Sequence, residues 1–263
     1  MIDLVSKNSY DLNDLIQIVK ILRGPGGCQW DGEQTHQSIR RNFLEEAYEV
    51  AEAIDQESPE HLQEELGDVL LQVVFHASIE EDKGRFDLND VADGVCKKLI
   101  YRHPHVFGTV SVSSTDEILS NWEDLKKLEK GQASQADALD AVARSLPALW
   151  RAEKVQKKAA KVGFDWDDVS GAVDKLSEEV DEVKAAINGS GNPFEELGDL
   201  LFAAVNTARF LNIDPEDALH AASDKFAARF RRVEDAVTAQ GKRMEDMTLA
   251  QLDDIWNRIK HQT

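Results

Sequence analysis

The residues best suited to chemistry in this chain are eight carboxylates that form one set used twice. Glu46, Glu49, Glu65 and Asp68 recur as Glu179, Glu182, Glu196 and Asp199, the first pair displaced by 133 positions (46 to 179) and the second by 131 (68 to 199). Acids are abundant, 50 Asp plus Glu in 263 residues, and composition alone gives on the order of nine acid-x-x-acid pairs. One such pair would mean little. A set repeated in matching context means more: Leu44-Glu45-Glu46-Ala47-Tyr48-Glu49-Val50 aligns with Ser177-Glu178-Glu179-Val180-Asp181-Glu182-Val183, and Glu65-Leu66-Gly67-Asp68 with Glu196-Leu197-Gly198-Asp199. Residues three apart on a helix lie about 5–6 Å from each other at Cβ, so each pair projects from one face. Like charges at that spacing repel, and two converging pairs repel more, unless something positive sits between them. Mg²⁺ suits that place, because it takes oxygen ligands in near-octahedral geometry and keeps positions for water and substrate phosphates. The plainer alternative is a solvated acidic helix face in an acidic protein.

The elements that must carry these pairs read as helices. Leu12, Leu15, Ile16, Val19 and Leu22 recur at three and four, as do Phe43, Ala47, Val50 and Ile54, and Leu62, Leu66, Val69 and Val73. Ser58-Pro59, Asn192-Pro193 and Asp214-Pro215 each place a capping side chain before a proline at the first helical position. No alternating strand pattern stands out. The repeat extends outward: Gly27-Cys28-Gln29-Trp30-Asp31 matches Gly163-Phe164-Asp165-Trp166-Asp167, Lys98 and Arg102 match Lys225 and Arg229, and Trp122 matches Trp256. The expected fold is all-α: two tandem units of four or five helices. Residues 1–132 form the first unit and 133–263 the second, divided in the small, polar stretch around Gly131-Gln132-Ala133-Ser134.

Composition narrows the functional classes. A formal charge of −20 repels polyanions, so stable nucleic-acid binding is not expected, although a small anion delivered with a divalent cation remains compatible. Two cysteines, Cys28 and Cys96, imply no disulfide framework and fit a reducing cytoplasm. Met1-Ile2-Asp3-Leu4-Val5-Ser6 has no basic region followed by a long apolar run, and no apolar stretch approaches about 20 residues, so no membrane association is expected.

Glu45-Glu46-x-x-Glu49 with Glu65-x-x-Asp68, and Glu178-Glu179-x-x-Glu182 with Glu196-x-x-Asp199, resemble the signature of the MazG nucleoside triphosphate pyrophosphohydrolases. Arg102-His103-Pro104-His105-Val106-Phe107, Arg144-Ser145-Leu146-Pro147-Ala148-Leu149 and Val162-Gly163-Phe164-Asp165-Trp166 are similar to segments of the two-domain bacterial members, so the resemblance covers essentially the whole chain. It implies an all-α, homodimeric enzyme that uses Mg²⁺, with Mn²⁺ as a substitute, to split nucleoside triphosphates between the α and β phosphates. The products are a nucleoside monophosphate and pyrophosphate, and the implied role is removal of aberrant nucleotides or adjustment of nucleotide pools. By the same resemblance Glu179, Glu182, Glu196 and Asp199 hold the metal, and catalysis belongs chiefly to the second unit.

Around that core the readings stay paired. Glu178 is the candidate to accept a proton from the attacking water, or else a capping or solvent-facing acid. Lys225 and Arg229, four apart on one helix face, contact phosphates or simply form a basic face; Lys98 and Arg102 are their counterparts. Trp256 stacks on a base or closes the core, and Trp30 and Trp166 are equally ambiguous. His103 and His105 read as a loop feature, because no Cys or third His lies near them in sequence. Pro104 should end the first unit's basic helix, whereas Arg229-Phe230-Arg231-Arg232 lets the second continue. No base-edge reader is visible, so broad base specificity is the default. The rival class is a non-catalytic helical protein that binds Mg²⁺ and nucleotide as a signal.

Overall fold

The computed structural model describes residues 7–129, 131 and 134–261, and every regular element among them is helical. The N-terminal segment considered above, Met1 to Ser6, and the boundary at 132/133 fall outside the described residues. The chain separates into two compact units, Met1–Lys126 and Lys127–Thr263.

In the first unit α1 is Leu12–Arg23, α2 Gln29–Glu33, α3 His36–Asp55, α4 Pro59–Glu81, α5 Leu88–Arg102, α6 Pro104–Phe107 and α7 Thr115–Glu129. Helix α7 runs across the division. The second unit repeats the order, with α8 at Gln135–Asp140, α9 Ala148–Ala160, α10 Val169–Ile187, α11 Pro193–Phe210 and α12 Pro215–Thr238, then a 3₁₀ turn at Met244–Asp246 and α13 at Leu249–Lys260. Each unit thus has five longer helices, with short ones at the joints.

The starts of these helices obey local chemistry. Ser58, Asn192 and Asp214 accept hydrogen bonds from the freed backbone N–H groups of α4, α11 and α12, and each is followed by Pro, which gives up a donor that had no partner there. Helix α5 stops at Arg102, as Pro104 requires, and His103 Nδ1 meets the Leu99 carbonyl oxygen at 2.6 Å at that end. Helix α12 meets no proline and continues to Thr238.

Helices α3 and α4 are joined by residues 56–58 alone, and α10 and α11 by 188–192, connections short enough to make each pair an antiparallel hairpin. These hairpins carry the acids. The α10–α11 turn uses Gly191 at φ 119, where a Cβ would approach Glu196 Oε1 to 3.2 Å, so only glycine lets the turn pass so close to that carboxylate. In the first unit Val19, Ile39, Val74, Phe75 and Ile79 pack α1 against the hairpin. In the second, Val233, Val237, Ile255 and Ile259 join α12 to α13. Burying each such side chain contributes roughly 1.5–3 kcal/mol, enough to hold the helices that aim the acids.

Candidate functional site

In the second unit α10 presents Glu179 toward α11, which presents Glu196 and Asp199 one turn apart. One carboxylate oxygen from each of the three lies within 4.8 Å of the others. Glu179 is buried at 4 % exposure, and Lys175, one turn earlier, holds its Oε1 at 2.7 Å. Its Oε2 is buried with no hydrogen-bond partner. A buried acceptor is costly to leave unpaired, which is the arrangement expected where a cation belongs. Glu182, the fourth acid of the set, lies outside this trio. It is exposed, yet desolvation and then the neighbouring Glu179 carboxylate raise its pKa above the ordinary value.

The first unit gathers a different three: Glu46 and Glu49 from α3 and the buried Glu65 from α4, again within 4.8 Å. Glu65 Oε1 is paired with His61 Nε2 at 3.1 Å. Desolvation, and after it the Glu49 charge, push the Glu65 carboxyl up; desolvation and a shared hydrogen bond with Glu49 do the same to Glu46. Asp68 stands outside this trio, although its charge also acts on Glu46. Sequence spacing placed four acids together in each unit; in the structure three come within 4.8 Å of one another, while the fourth stays beside them, Glu182 against Glu179 and Asp68 near enough for its charge to act on Glu46. The odd one out differs because a mutual approach of this kind depends on helix rotation and rotamer, which spacing along one helix does not specify.

Glu178 is exposed on α10 and accepts from Lys175 Nζ at 2.8 Å. Lys175 therefore bridges Glu178 and Glu179, and those two bonds, Glu178 first, raise its pKa. Sequence reasoning passed over Lys175, although its spacing of three and four before the two acids was the available signal. Lys225 is exposed on α12, while Arg229, a turn later, is half-buried with its Nε unpartnered. Trp256 is half-buried on the α12–α13 core, its ring 5.2 Å from that of Phe226. Lys98 is exposed, and the guanidinium of buried Arg102 lies 5.2 Å from the centre of the Trp122 ring. His103 and His105 face each other at 5.7 Å in the helix joint.

A cavity of about 610 Å³ adjoins the second trio, with Glu179 and Asp199 at its acidic end. Gln156, Trp166, Asn206 and Arg209 also line it. Trp166 can lie flat over the start of α10 because residue 171 is glycine; a Cβ there would come within 2.9 Å of the indole. Arg209 donates to Asn206 Oδ1 and to both carboxylate oxygens of Asp165, fixing that wall. Only Trp166 of these was singled out from sequence, since the others meet through tertiary packing. No helix among the described residues is long and apolar enough to cross a membrane.

Two helical hairpins thus each aim carboxylates at a common point, and one of these points lies beside a cavity, an all-α arrangement of acids able to receive a hard cation. The MazG nucleotide pyrophosphohydrolase domain matches at residues 34–107 and 168–233, which are the two acid-bearing segments. The chain is 46 % identical over 256 residues to the nucleoside triphosphate pyrophosphohydrolase of Escherichia coli, covering 95 % of this chain and 97 % of that one. It is 43 % identical over 247 residues to the nucleoside triphosphate pyrophosphohydrolase/pyrophosphatase MazG of Thermotoga maritima, covering 94 % of each. The chain belongs to the MazG family.

Proposed function

We propose that this protein is a Mg²⁺-dependent nucleoside triphosphate pyrophosphohydrolase that cleaves between the α and β phosphates, broad in base, working as a cytoplasmic homodimer in nucleotide-pool house-cleaning, with Mn²⁺ able to substitute. The observation that carries the reading is the second unit's trio: three carboxylates on two helices, one of them buried with an unpartnered oxygen, in a chain of this family. The donor set fits a hard divalent cation, being all oxygen and anionic. When bound there, Mg²⁺ supplies neutralisation of phosphate charge and a more acidic water.

The chain's own groups account for the rest. Glu179, Glu196 and Asp199 hold the cation, with Glu182 a turn away from Glu179 to complete the shell. Glu178 takes the proton of the attacking water as the new oxygen–phosphorus bond forms and the bond between the α and β phosphates breaks, and pyrophosphate leaves. Lys175 keeps Glu178 beside the trio through its bridge to Glu179. Lys225 and Arg229 lie a turn apart on α12 as phosphate contacts, the unpartnered Nε of Arg229 being one free donor. Trp256, half-buried against the α12–α13 core, supports that helix. In the first unit Arg102 serves its architecture more than a substrate, since it is buried against Trp122, while Lys98 is exposed.

Incubating the protein with each nucleoside triphosphate and Mg²⁺, and resolving the products, tests the reading. Monophosphate with pyrophosphate is the expected outcome. Orthophosphate release, or binding with no turnover, would replace it with an ordinary phosphatase or a nucleotide-sensing protein.

A further inference from the structure

A second cluster of titratable groups lies in the first unit, apart from its acid trio, where the start of α3 meets the end of α4. His36 is the first residue of α3, and its Nδ1 stands 2.7 Å from Nδ1 of His76 on α4. The two ring centres are 5.0 Å apart and the ring planes differ by 10°. Subtracting the contact leaves 2.3 Å (5.0 − 2.7), about two centre-to-nitrogen radii of an imidazole, so the N···N line runs through both centres and the rings meet edge to edge. That is the geometry of an N–H···N hydrogen bond. Two nitrogens on one tetrahedral metal, each at about 2.0–2.1 Å, would stand about 3.3 Å apart, so a proton fits between these rings and a metal does not.

On its other side His36 Nε2 meets Glu80 Oε1 at 2.5 Å. Glu80 is held in turn by Lys83 Nζ at 3.1 Å and by Arg85, whose Nε and Nη2 reach its two oxygens at 2.5 and 2.6 Å. Carboxylate and two imidazoles thus form one line of hydrogen bonds that ties the start of α3, the end of α4 and the turn leading to α5. Residues 56–58 close the opposite end of this hairpin, the one that assembles Glu46, Glu49 and Glu65. The carboxylate needs a hydrogen on His36 Nε2, and the contact between the rings needs a hydrogen on one Nδ1 only. If each ring takes its full complement, both Nδ1 atoms carry hydrogens and two like charges face each other, and the contact is lost.

We propose that Glu80, His36 and His76 form an acid-sensitive latch at the open end of the first unit's hairpin, closed while the two imidazoles share one proton between their Nδ1 atoms and released when each ring holds its own. Burial, and after it the charge of His36, lowers the His76 pKa below 6.5. A ring exposed by opening therefore takes its proton first, so the closed latch keeps its full stability above 6.5 and loses it as pH falls below that value. The other charged groups at this end are Arg40 on α3, exposed to solvent; Lys20 and Arg23 on α1, which hold Glu81 and Asp82; and Asp87 at the start of α5, met by the charge of Lys20. By the repeat offsets of 133 on α3 and 131 on α4, the second unit has Val169, Thr207 and Leu211 at the three positions, so the device belongs to the first unit alone.

The test is amide hydrogen exchange on the full chain at about pH 7.5 and about pH 5, each amide taken relative to its intrinsic rate, for wild type and His76→Asn. Asparagine keeps a hydrogen-bonding atom near the Nδ1 position and cannot take a charge. In wild type the Ile39 amide, which donates to the Thr35 carbonyl, and the Asp82 amide, which donates to that of Ser78, are expected to lose about tenfold or more in protection on acidification. In His76→Asn the loss should stay within about twofold, and the amides that open α10 should not respond in either protein. An equal loss in the two proteins, or none in wild type, would overturn the proposal. If His76→Asn does not fold by circular dichroism, His36→Gln, which keeps a donor toward Glu80, gives the same comparison. Ring-nitrogen chemical shifts of the wild type supply a reading that needs no variant: one Nδ1 of the pair unprotonated at about pH 7.5, and both protonated at about pH 5 as protection falls. Double protonation with protection unchanged would also overturn the latch.

Discussion

At the scale of single residues, the second trio is decided by what surrounds each acid. Glu179 is clamped on one oxygen by Lys175 and open on the other, whereas Glu182 is exposed and outside the trio. Asp199→Asn is therefore expected to reduce turnover more than about 100-fold and to weaken Mg²⁺ binding, and Glu182→Gln to do less of both, since groups supporting a metal's ligands typically cost 10- to 100-fold. Steady-state rates across a Mg²⁺ titration check the order; a larger loss from Glu182→Gln would reverse the assignment. A second residue-scale expectation concerns Glu80, buried in the first unit among Arg85, His36 and Lys83. The Arg85 hydrogen bond, then that of His36, lowers its pKa from 4.5 to about 2. A carboxyl that titrates lower when folded adds stability above 4.5, and that stability is lost as pH falls through the window down to about 2. Glu80→Gln should flatten the thermal midpoint across that window relative to wild type, and an unchanged slope would contradict the pairing.

At the scale of elements, the positioning of α12 depends on one capping side chain that also ties it to α9. Asp214 accepts from the backbone of Glu216 and Asp217, and both its oxygens receive the Trp150 indole N–H, at 3.0 and 3.1 Å. Losing an N-cap costs about 1 kcal/mol, and leaving a half-buried indole N–H unpaired adds to it, so Asp214→Ala should destabilise by about 2 kcal/mol. Hydrogen exchange should show the first turn of α12 losing protection, while the α3–α4 hairpin of the other unit does not change. Asp214→Asn should recover most of the loss, because the amide oxygen still caps.

At the scale of the whole molecule, the two units carry similar acids in unequal surroundings. The second trio opens onto a cavity, and the corresponding first-unit positions hold Arg23 and Phe75. Glu196→Gln is expected to remove most hydrolysis and the matched Glu65→Gln little; equal losses would show that both units work. The chain also exposes apolar side chains along α12, Leu219, Phe226 and Phe230. Such faces mark interfaces, and two-fold pairing is the commonest closed arrangement. Light scattering at micromolar concentration should give twice the chain mass, and a monomer would reject the homodimer.

The tandem all-α plan, the caps at Ser58, Asn192 and Asp214, and the end of α5 before Pro104 were legible from residue types, because each is fixed by contacts within a few positions of chain. So was the duplicated acid set, since recurrence needs no coordinates to detect. Which three acids meet was not legible: Glu46, Glu49 and Glu65 in one unit, and Glu179, Glu196 and Asp199 in the other. That choice depends on how two hairpin helices are rotated against each other. The cavity was equally hidden, because Gln156, Asn206 and Arg209 are separated by up to 53 positions (156 to 209) and none belongs to a local motif. Local sequence determines helix, cap and repeat through short-range sterics and hydrogen bonding, while the empty volume and the unpartnered Gln156 oxygen exist only once distant helices have packed.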